Sequence, residues 1–396
     1  MNTDADRFDI HAADHMDRWV AQTDAMRRAG PVGWTDANGG YWVVMGYEAA
    51  SLAAKDWQVF SALHDPTGAD PRARGIGIPP YAFPLILSES DPPRQTRLRL
   101  LEIPFFHPSR IRAQIAVVQG HIDQCIDAMA DKAEVDLFRD YAMPVVALTT
   151  MALVGIDIAH WRDYTLGMHH GASSLDFNLA SDTDRVHAML LELVRERRAA
   201  PRADIASALV AGEVEGQALR DEEALSMLSA LVLGGFDTVA SLITSGLLWL
   251  DQNREAHADL LSDDALLANA VHEFLRLWPP SLGGGRNVML DTELGGQRLA
   301  DGDRIFLSWA AANRDPDVFA DPHAVRLDRA NADQNLTFGA GPHRCLGMEL
   351  GRLTGRLAIR SILECYPSYR IRHDSVVRYR SKGFVAGWSA MPAVLS

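Results

Sequence analysis

The feature that most limits the fold of this chain is a long apolar segment near its middle. Between residues 225 and 250, Asp237 is the only charged residue. Apolar runs of about 20 residues are candidate membrane-spanning helices. This run also contains several Ser and Thr residues, and the acidic chain shows no second hydrophobic segment of that kind. We therefore expect a helix buried in the centre of a large domain rather than a membrane span.

Helical apolar patterns account for most of the remaining chain. They predict helices over residues 108–129, 141–154, 184–198, 222–250, 264–277 and 345–366. Around Asn38-Gly39-Gly40 the pattern predicts a hairpin over 31–46, and short strand signals return at 304–309 and in the last thirty residues. No repeat or linker separates modules. The fold class is therefore mainly α with a small β portion.

The composition excludes several functional classes. Lys and Arg number 38 against 52 Asp and Glu, for a net charge of −14, whereas nucleic-acid-binding proteins usually carry the opposite balance. The three cysteines are too few and too scattered for a disulfide framework or a multi-cysteine zinc site. The N-terminus has no apolar core typical of a signal or anchor. We expect a cytoplasmic chain with no nucleic-acid or membrane partner.

The segment 338–347, which reads FGAGPHRCLG, is the most informative stretch. A cysteine at a helix N-terminus meets the positive end of the helix dipole and free N–H groups, which favour thiolate over thiol. Gly339 and Gly341 leave room for a flat ligand to approach the backbone, and Phe338 is placed to shield the sulfur of Cys345 from water. For a lone cysteine, the alternative is a buried structural residue in a glycine-rich turn.

Together these residues resemble the haem-binding loop of the cytochrome P450 family. The resemblance extends from about residue 91 to residue 393 and is greatest to the bacterial class I branch that includes the camphor hydroxylase. It implies the P450 fold, a single domain over 1–396 with a small β-rich lobe included in about 1–85, and haem b as cofactor. It also implies that Cys345 is the axial thiolate ligand of the haem iron, which favours O–O bond cleavage.

Two glycines and an acid interrupt the apolar helix at 234–238, which reads GGFDT. Each glycine in a helix interior is destabilising by about 1 kcal/mol relative to Ala, and a buried unpaired carboxylate costs more. A flat cofactor lying against Gly235 explains the glycines, and an acid followed by an alcohol explains proton supply to a bound ligand. The alternative is a helix–helix contact with Asp237 in a salt bridge. The resemblance implies that Thr238 hydrogen-bonds dioxygen at the haem, that Asp237 relays protons, and that O₂ rather than peroxide is the oxidant.

Glu273 and Arg276 are three residues apart and therefore meet on one helix face. Most pairs with this spacing are solvated, and that is the alternative here. Because Trp278-Pro279-Pro280 follows, the pair resembles the Glu-x-x-Arg helix of the family. The resemblance implies that Arg329 completes a structural triad.

Haem has two propionates, so cationic or hydrogen-bonding partners are expected. The segment 91–99 resembles the family's propionate-binding helix, with Arg99 as the expected ion-pair partner. Many bacterial members have His where this chain has Gln95, which leaves Gln95 as a neutral donor. Arg286 and His343 complete the implied set. A surface salt bridge is the alternative for each arginine.

A chain with no flavin or iron–sulfur motif must receive its electrons from another protein. Arg352 and Arg356 lie one turn apart on the helix after the cysteine loop, where like charges repel unless an anion is near. With Arg94 and Arg344 they form a candidate basic patch. We expect docking of an acidic ferredoxin, itself reduced by its reductase. A solvated arginine face is the alternative.

The resemblance also nominates substrate contacts, for which core packing is the alternative at every position. They are Phe83, Ala230, Leu233, Gly234, Leu282, Gly283 and Phe384. Charge is sparse among these positions, which indicates a largely apolar small molecule. The glycine triplet at 283–285 predicts a roomier pocket than relatives have.

The leading interpretation of its function is a haem-thiolate monooxygenase that hydroxylates its substrate with O₂. A tailoring oxidase that uses the same haem for desaturation, epoxidation or oxidative coupling is one alternative. A non-catalytic haem-thiolate binding or sensor protein is another, and the Asp237–Thr238 pair argues against it.

Overall fold

The computed structural model describes residues 7–81, 83–166, 180–378 and 385–395, and every statement below concerns these residues. Helices dominate the described chain. In chain order they are α1 (His15–Arg27), α2 (Tyr47–Lys55), α3 (Arg94–Phe106), α4 (Pro108–Ala113), α5 (Ile115–Met129), α6 (Met143–Val154), α7 (Ala180–Ala199), α8 (Ile205–Val210), α9 (Asp221–Gly235), α10 (Asp237–Gln252), α11 (Ala256–Ser262), α12 (Asp264–Leu277), α13 (Trp309–Ala312) and α14 (Met348–Cys365).

Short strands form a minor part of the described structure. They are β1 (Val32–Thr35), β2 (Tyr41–Val44), β3 (Phe60–Ser61), β4 (Glu134–Asp136), β5 (Glu213–Val214), β6 (Gln217–Ala218), β7 (Gly284–Val288), β8 (Thr292–Leu294), β9 (Gln297–Leu299), β10 (Arg304–Leu307), β11 (Arg370–Ile371), β12 (Val377–Arg378), β13 (Trp388–Ala390) and β14 (Pro392–Val394). The prediction of a mainly α fold with a small β portion is confirmed.

The largest sheet has the strand order β1-β2-β10-β7-β3. β2 and β10 pair in parallel, and the other neighbours are antiparallel. The β1–β2 hairpin lies where the sequence predicts it. β7 and β10 come from residues 284–307, so the sheet extends beyond the segment of about 1–85 in which the β-rich lobe was expected.

Three of the six predicted helices differ from the structure by an internal break or by a start three residues late. The helix predicted over 108–129 is divided at Gln114, which ends α4 and precedes α5. The helix predicted over 222–250 is divided at Phe236, between α9 and α10. The helix predicted from Cys345 begins only at Met348, so the cysteine lies in the preceding loop. Of the other three predicted helices, α12 spans its predicted residues, α6 begins two residues late, and α7 extends beyond its predicted bounds at both ends.

The main hydrophobic core lies where α5, α6, α9, α10, α12 and α14 pack together. Two segments are long and apolar enough to cross a membrane, Leu137–Val154 and Asp221–Gln252, so the expectation of a single such segment is wrong. Their most apolar windows are 78% and 61% buried inside the protein, as in the core helices of soluble proteins, so they are weak evidence for a span. α9 and α10 therefore form the central buried element that the apolar segment predicts.

A buried ion triad connects α12 to the chain that precedes the cysteine loop. Arg276 Nε and Nη2 donate to the two carboxylate oxygens of Glu273 (2.7 and 2.8 Å), and Arg329 Nε donates to both (3.0 and 3.1 Å). All three side chains are at most 4% exposed. Burial by itself would raise the pKa of Glu273, but the hydrogen bonds from Arg276, the Arg326 N–H and Arg329 lower it below its usual range.

We expect Glu273→Ala to lower the free energy of unfolding by about 3–5 kcal/mol, because two buried guanidinium groups lose their counter-charge. Urea denaturation measures this loss. Glu192→Ala is the matched control, since Glu192 and Arg195 have the same spacing but are 64% and 62% exposed. The control should change stability by less than about 1 kcal/mol. Equal losses in the two variants would contradict a special role for the triad.

Candidate functional site

A deep cavity lies between the cysteine loop, α14, the α9–α10 pair, α3 and α6. Its empty volume is about 1130 Å³, part of which is open to solvent. Most of the residues predicted from the sequence for the cofactor and for oxygen chemistry line it. They are Gln95, Arg99, Gly235, Thr238, Phe338, His343 and Cys345, together with Ala230, Gly234 and Arg344.

The cysteine loop is a compact turn that places Cys345 at the cavity wall. Gly339 and Gly341 both have φ of +68°, a conformation that favours glycine. A Cβ at Gly341 would also collide with the backbone oxygen of Ala54. The Cys345 N–H donates to Phe338 O at 2.8 Å, which closes the turn. The glycines therefore serve the turn and its packing on α2, in addition to the predicted clearance for a flat ligand.

The Cys345 thiol is accessible from the cavity although it lies deep in the protein. Burial raises its pKa, and the Gly347 N–H and the charges of Arg99, Arg352 and Arg344 oppose this without reversing it. The backbone N–H thus acts in the predicted direction but is outweighed by burial. The helix begins three residues later, and the thiolate needs a further cation to stabilise it, such as an iron ion.

One end of the cavity collects hydrogen-bonding and cationic groups. Burial, followed by the charges of Arg286 and Arg99, lowers the pKa of His343 to about 3, so this side chain is neutral. It therefore belongs to the hydrogen-bonding members of the expected set of propionate partners. Its buried Nε2 has no hydrogen-bond partner within the described chain. Two cations beside an unpartnered imidazole nitrogen fit the carboxylates of haem b.

Gln95 and Arg286 are less available to bind haem propionates than expected, because each already donates a hydrogen bond within the protein. Gln95 is buried and its Nε2 donates to Pro342 O at 2.8 Å, which leaves one N–H of the amide. Arg286 Nη1 donates to Gly285 O at 2.7 Å. Burial lowers the pKa of Arg286 to about 10, while the charge of Asp91 opposes the shift.

The central helix breaks at the cavity. Phe236, with φ −84° and ψ −78°, separates α9 from α10. Thr238 Oγ1 donates to Gly234 O at 2.6 Å, and Asp237 is buried at the first residue of α10. A Cβ at Gly235 would lie 2.6 Å from Thr150 Oγ1, whereas a Cβ at Gly234 would meet nothing within 4 Å. Gly235 therefore permits packing on α6, and Gly234 is the glycine that keeps the cavity open.

The structure places the predicted substrate residues in different surroundings. Ala230 and Gly234 line the cavity, whereas Leu233 packs against the main core. The Phe83 ring contacts that of His187 on α7, with centroids 4.3 Å apart and the ring planes tilted by 35°. Phe384 lies outside the described residues.

The glycine triplet does not widen the cavity as predicted. Leu282 is 3% exposed and packs in the core of the β-rich lobe. A Cβ at Gly283 would collide with the backbone oxygen of Leu307, and a Cβ at Gly285 would lie 2.8 Å from Ile76 O. The glycines at 283 and 285 instead allow close approach of neighbouring backbone within the lobe.

The predicted partner-docking residues differ in how their charges are compensated. They are Arg94, Arg344, Arg352 and Arg356. Arg94 pairs with Glu223 at 2.6 Å, and Arg352 pairs with Glu349 and lies over the Phe338 ring. Arg344 is exposed and Arg356 is partly exposed, and neither has a carboxylate partner within the described chain. These two arginines are the uncompensated charges of the predicted patch.

The polar residues of the cavity wall that were not predicted from the sequence include Glu102 on α3 and Thr149 and Thr150 on α6. Glu102 follows Arg99 by three residues within an otherwise apolar stretch, and that isolated charge was the available signal. The two threonines lie in a helix that is apolar on all sides. The spacing of its apolar residues therefore did not indicate which way the threonine side chains face.

Comparison with known proteins gives consistent results. The family model described as "Cytochrome P450" matches residues 173–376. A steroid C26-monooxygenase of Mycolicibacterium smegmatis is 30% identical over 358 residues, which cover 88% of this chain and 86% of that protein. The 6-deoxyerythronolide B hydroxylase of Saccharopolyspora erythraea is 30% identical over 362 residues, covering 86% of this chain and 87% of that protein.

The fold also resembles solved structures. One is the cytochrome P450 PksS of the bacillaene polyketide synthase from Bacillus subtilis 168, with a TM-score of 0.85 and 24% identity. The match covers 98% of this chain and 99% of that one. The fold predicted from the cysteine loop is confirmed.

Proposed function

We propose that this chain, which belongs to the cytochrome P450 family, hydroxylates a largely apolar small molecule with O₂ and two electrons from a ferredoxin-type partner and its reductase. It is an oxidoreductase of the monooxygenase family and binds haem b. One observation carries the proposal. A single cavity brings Cys345, the Arg99–His343 end and the helix break at Thr238 together.

In this proposal the protein would hold the haem at two places. Cys345 Sγ would ligate the iron, and Arg99, Arg286 and the neutral His343 would bind the propionates. When bound, the haem supplies reductive activation of O₂ and insertion of one oxygen atom into the substrate. The apolar side chains of α6 and α9 exclude water from the reacting centre.

Thr238 and Asp237 are proposed to deliver protons to the cavity. The Thr238 hydroxyl donates to Gly234 O in the helix break. A hydroxyl has one hydrogen to donate and can accept two hydrogen bonds, so rotation of this group redirects its proton to the cavity while Oγ1 accepts another. Asp237 precedes it in the chain and is the buried acid nearest in sequence.

An apolar substrate is supported by the lining of the cavity. The contributions of α6, α9 and α10 contain no charged side chain, and Val146, Leu153, Leu231 and Val239 are among them. Relatives are named for a steroid and for 6-deoxyerythronolide B. Screening apolar compounds for a low-to-high-spin shift of the haem, followed by product analysis, identifies the substrate and separates hydroxylation from other oxidations.

We further propose that a single domain carries these functions in the cytoplasm, and that the partner docks near the cysteine loop. Arg344 and Arg356, whose charges are uncompensated, attract an acidic protein over a distance limited by ionic screening. Arg94 and Arg352 are already paired with glutamates and contribute less.

The ligand assignment predicts that Cys345→Ser abolishes the red-shifted Soret band that marks thiolate ligation in the CO-bound ferrous haem, because no thiolate remains in the cavity. Absorption spectroscopy of the dithionite-reduced, CO-treated protein measures it. Cys365→Ser is the matched control, since Cys365 lies exposed at the far end of α14. Retention of the band by the Cys345 variant would falsify the assignment.

The proton-delivery proposal predicts that Thr238→Ala lowers product formed per electron pair by about tenfold or more, because one positioned proton donor is lost. The missing electrons should appear as hydrogen peroxide, measured against consumption of the electron donor. Thr244→Ala is the matched control, because Thr244 makes the same type of bond to the carbonyl four residues earlier and is not among the cavity-lining residues. Equal coupling in both variants would reject the role of Thr238.

The docking proposal predicts that reversing both Arg344 and Arg356 to Glu slows the first electron transfer by about tenfold or more at low salt and flattens its salt dependence. Stopped-flow reduction by an acidic ferredoxin measures the rate. Reversing Arg185 and Arg195, on α7, makes the same change in net charge where the helix packs on α8 and α9. A rate that falls equally in both pairs would indicate a general charge effect and not docking.

A further inference from the structure

Glu102 is a buried acid on the wall of the cofactor cavity. It lies on α3 on the same helix face as Arg99 and Phe106, and all three line the cavity. The residue is 0% exposed. Neither carboxyl oxygen has a hydrogen-bond partner among the described residues, so Cys345 Sγ is not one. A carboxyl with four acceptor sites and no protein donor is rare inside a protein.

The surroundings of Glu102 favour its neutral form. Burial raises the pKa of Glu102 to about 8, and the charge of Arg99 is the opposing influence. The other charged or titratable groups on the cavity wall belong to the cysteine loop, namely His343, Arg344 and Cys345. The lining parts of α6, α9, α10 and α14 contribute none. At neutral pH the carboxyl therefore holds a proton. Neutral pH lies just below the pH range in which the carboxyl loses that proton.

A purely structural role does not account for this arrangement. An acid that served to hold Arg99 would accept a hydrogen bond from its guanidinium, and no such bond is present between these two described residues. A cavity built only to bind a dianionic cofactor would also exclude a further acid from its wall, since like charges repel. An acid that is neutral but able to ionise is compatible both with the missing hydrogen bond to Arg99 and with an anionic cofactor.

We propose that Glu102 is the proton-binding side chain of the haem cavity and that it couples proton uptake to reduction of the haem. Reduction brings one electron from the external donor and leaves the centre one unit more negative. Above about pH 8, where the oxidised state has lost the proton, this disfavours the carboxylate of Glu102, which takes up one proton from solvent. One electron and one proton enter together, and no bond other than O–H forms. The inference rests on haem binding and not on the substrate or electron donor proposed above.

The coupling predicts a pH-dependent reduction potential in the substrate-free holoenzyme. Below about pH 7 the carboxyl is protonated in both oxidation states, so the potential should be constant. Above about pH 8 the oxidised state loses the proton first, and the potential should fall with a slope of up to about 59 mV per pH unit, the value for one proton per electron. Spectroelectrochemical titration with soluble mediators measures this without any turnover.

Two variants test the assignment to Glu102. Glu102→Gln has nearly the same shape but cannot ionise, and Glu102→Leu fills the space with an apolar side chain. Both should give a potential that is constant with pH and, for Glu102→Gln, equal to the low-pH value of the parent. Glu349→Gln is the matched control, because Glu349 is 49% exposed beside the cysteine loop, and it should retain the slope.

Three results would overturn the proposal. They are a parent protein without a slope, a slope that survives in Glu102→Gln, and failure of both Glu102 variants to load haem, which would assign the residue to cofactor retention. The CO-bound ferrous spectrum of the same samples reports thiolate ligation separately. An abnormal spectrum in the parent protein would count against the ligand assignment, whereas a normal spectrum with no slope would count against Glu102.

Discussion

Two guanidinium groups that share one buried carboxylate hold the chain around the site in place. Because Arg276 and Arg329 are charged and enclosed, their hydrogen bonds to Glu273 and to backbone carbonyls must all be made together. Arg276 Nη1 donates to Asn313 O and Pro322 O (2.9 and 2.8 Å). The triad therefore ties α12 to two distant stretches of chain at once.

The same network continues to the cysteine loop. Asn313 Nδ2 donates to Thr337 Oγ1 at 2.9 Å, and Thr337 Oγ1 donates to Leu275 O at 2.7 Å. The residue after Thr337 is Phe338, whose carbonyl accepts from the Cys345 N–H. The position of the Cys345 sulfur thus depends on the buried ion triad, whose residues lie in a different part of the sequence. Burial then sets the chemistry of the cavity, because it keeps His343 neutral and raises the pKa of both Cys345 and Glu102.

Local sequence patterns predicted much of the fold and of the site. α12 has a strong amphipathic pattern and a capping Asp263, so its bounds could be read directly. The break at Phe236 was not predicted, because glycine and acid residues signal only that a helix is unusual there. Half of the arginines in the docking patch are paired with carboxylates. The pairing of Arg94 was not predicted, because its partner Glu223 is remote in sequence. Likewise, the reason for glycine at 235 and 283 lies in Thr150 and in the Leu307 backbone.

By itself, the sequence determined the class of the protein, the cysteine at its centre and the residues that gather around it, since these depend on residue type at short spacing. Tertiary structure decided which of those residues are charged, which face the cavity and which make contacts elsewhere in the protein. It placed Glu102 on the wall of the cofactor cavity and Leu282 in a separate core. Ionisation and accessibility depend on burial by elements far apart in the chain, and no local pattern carries that information.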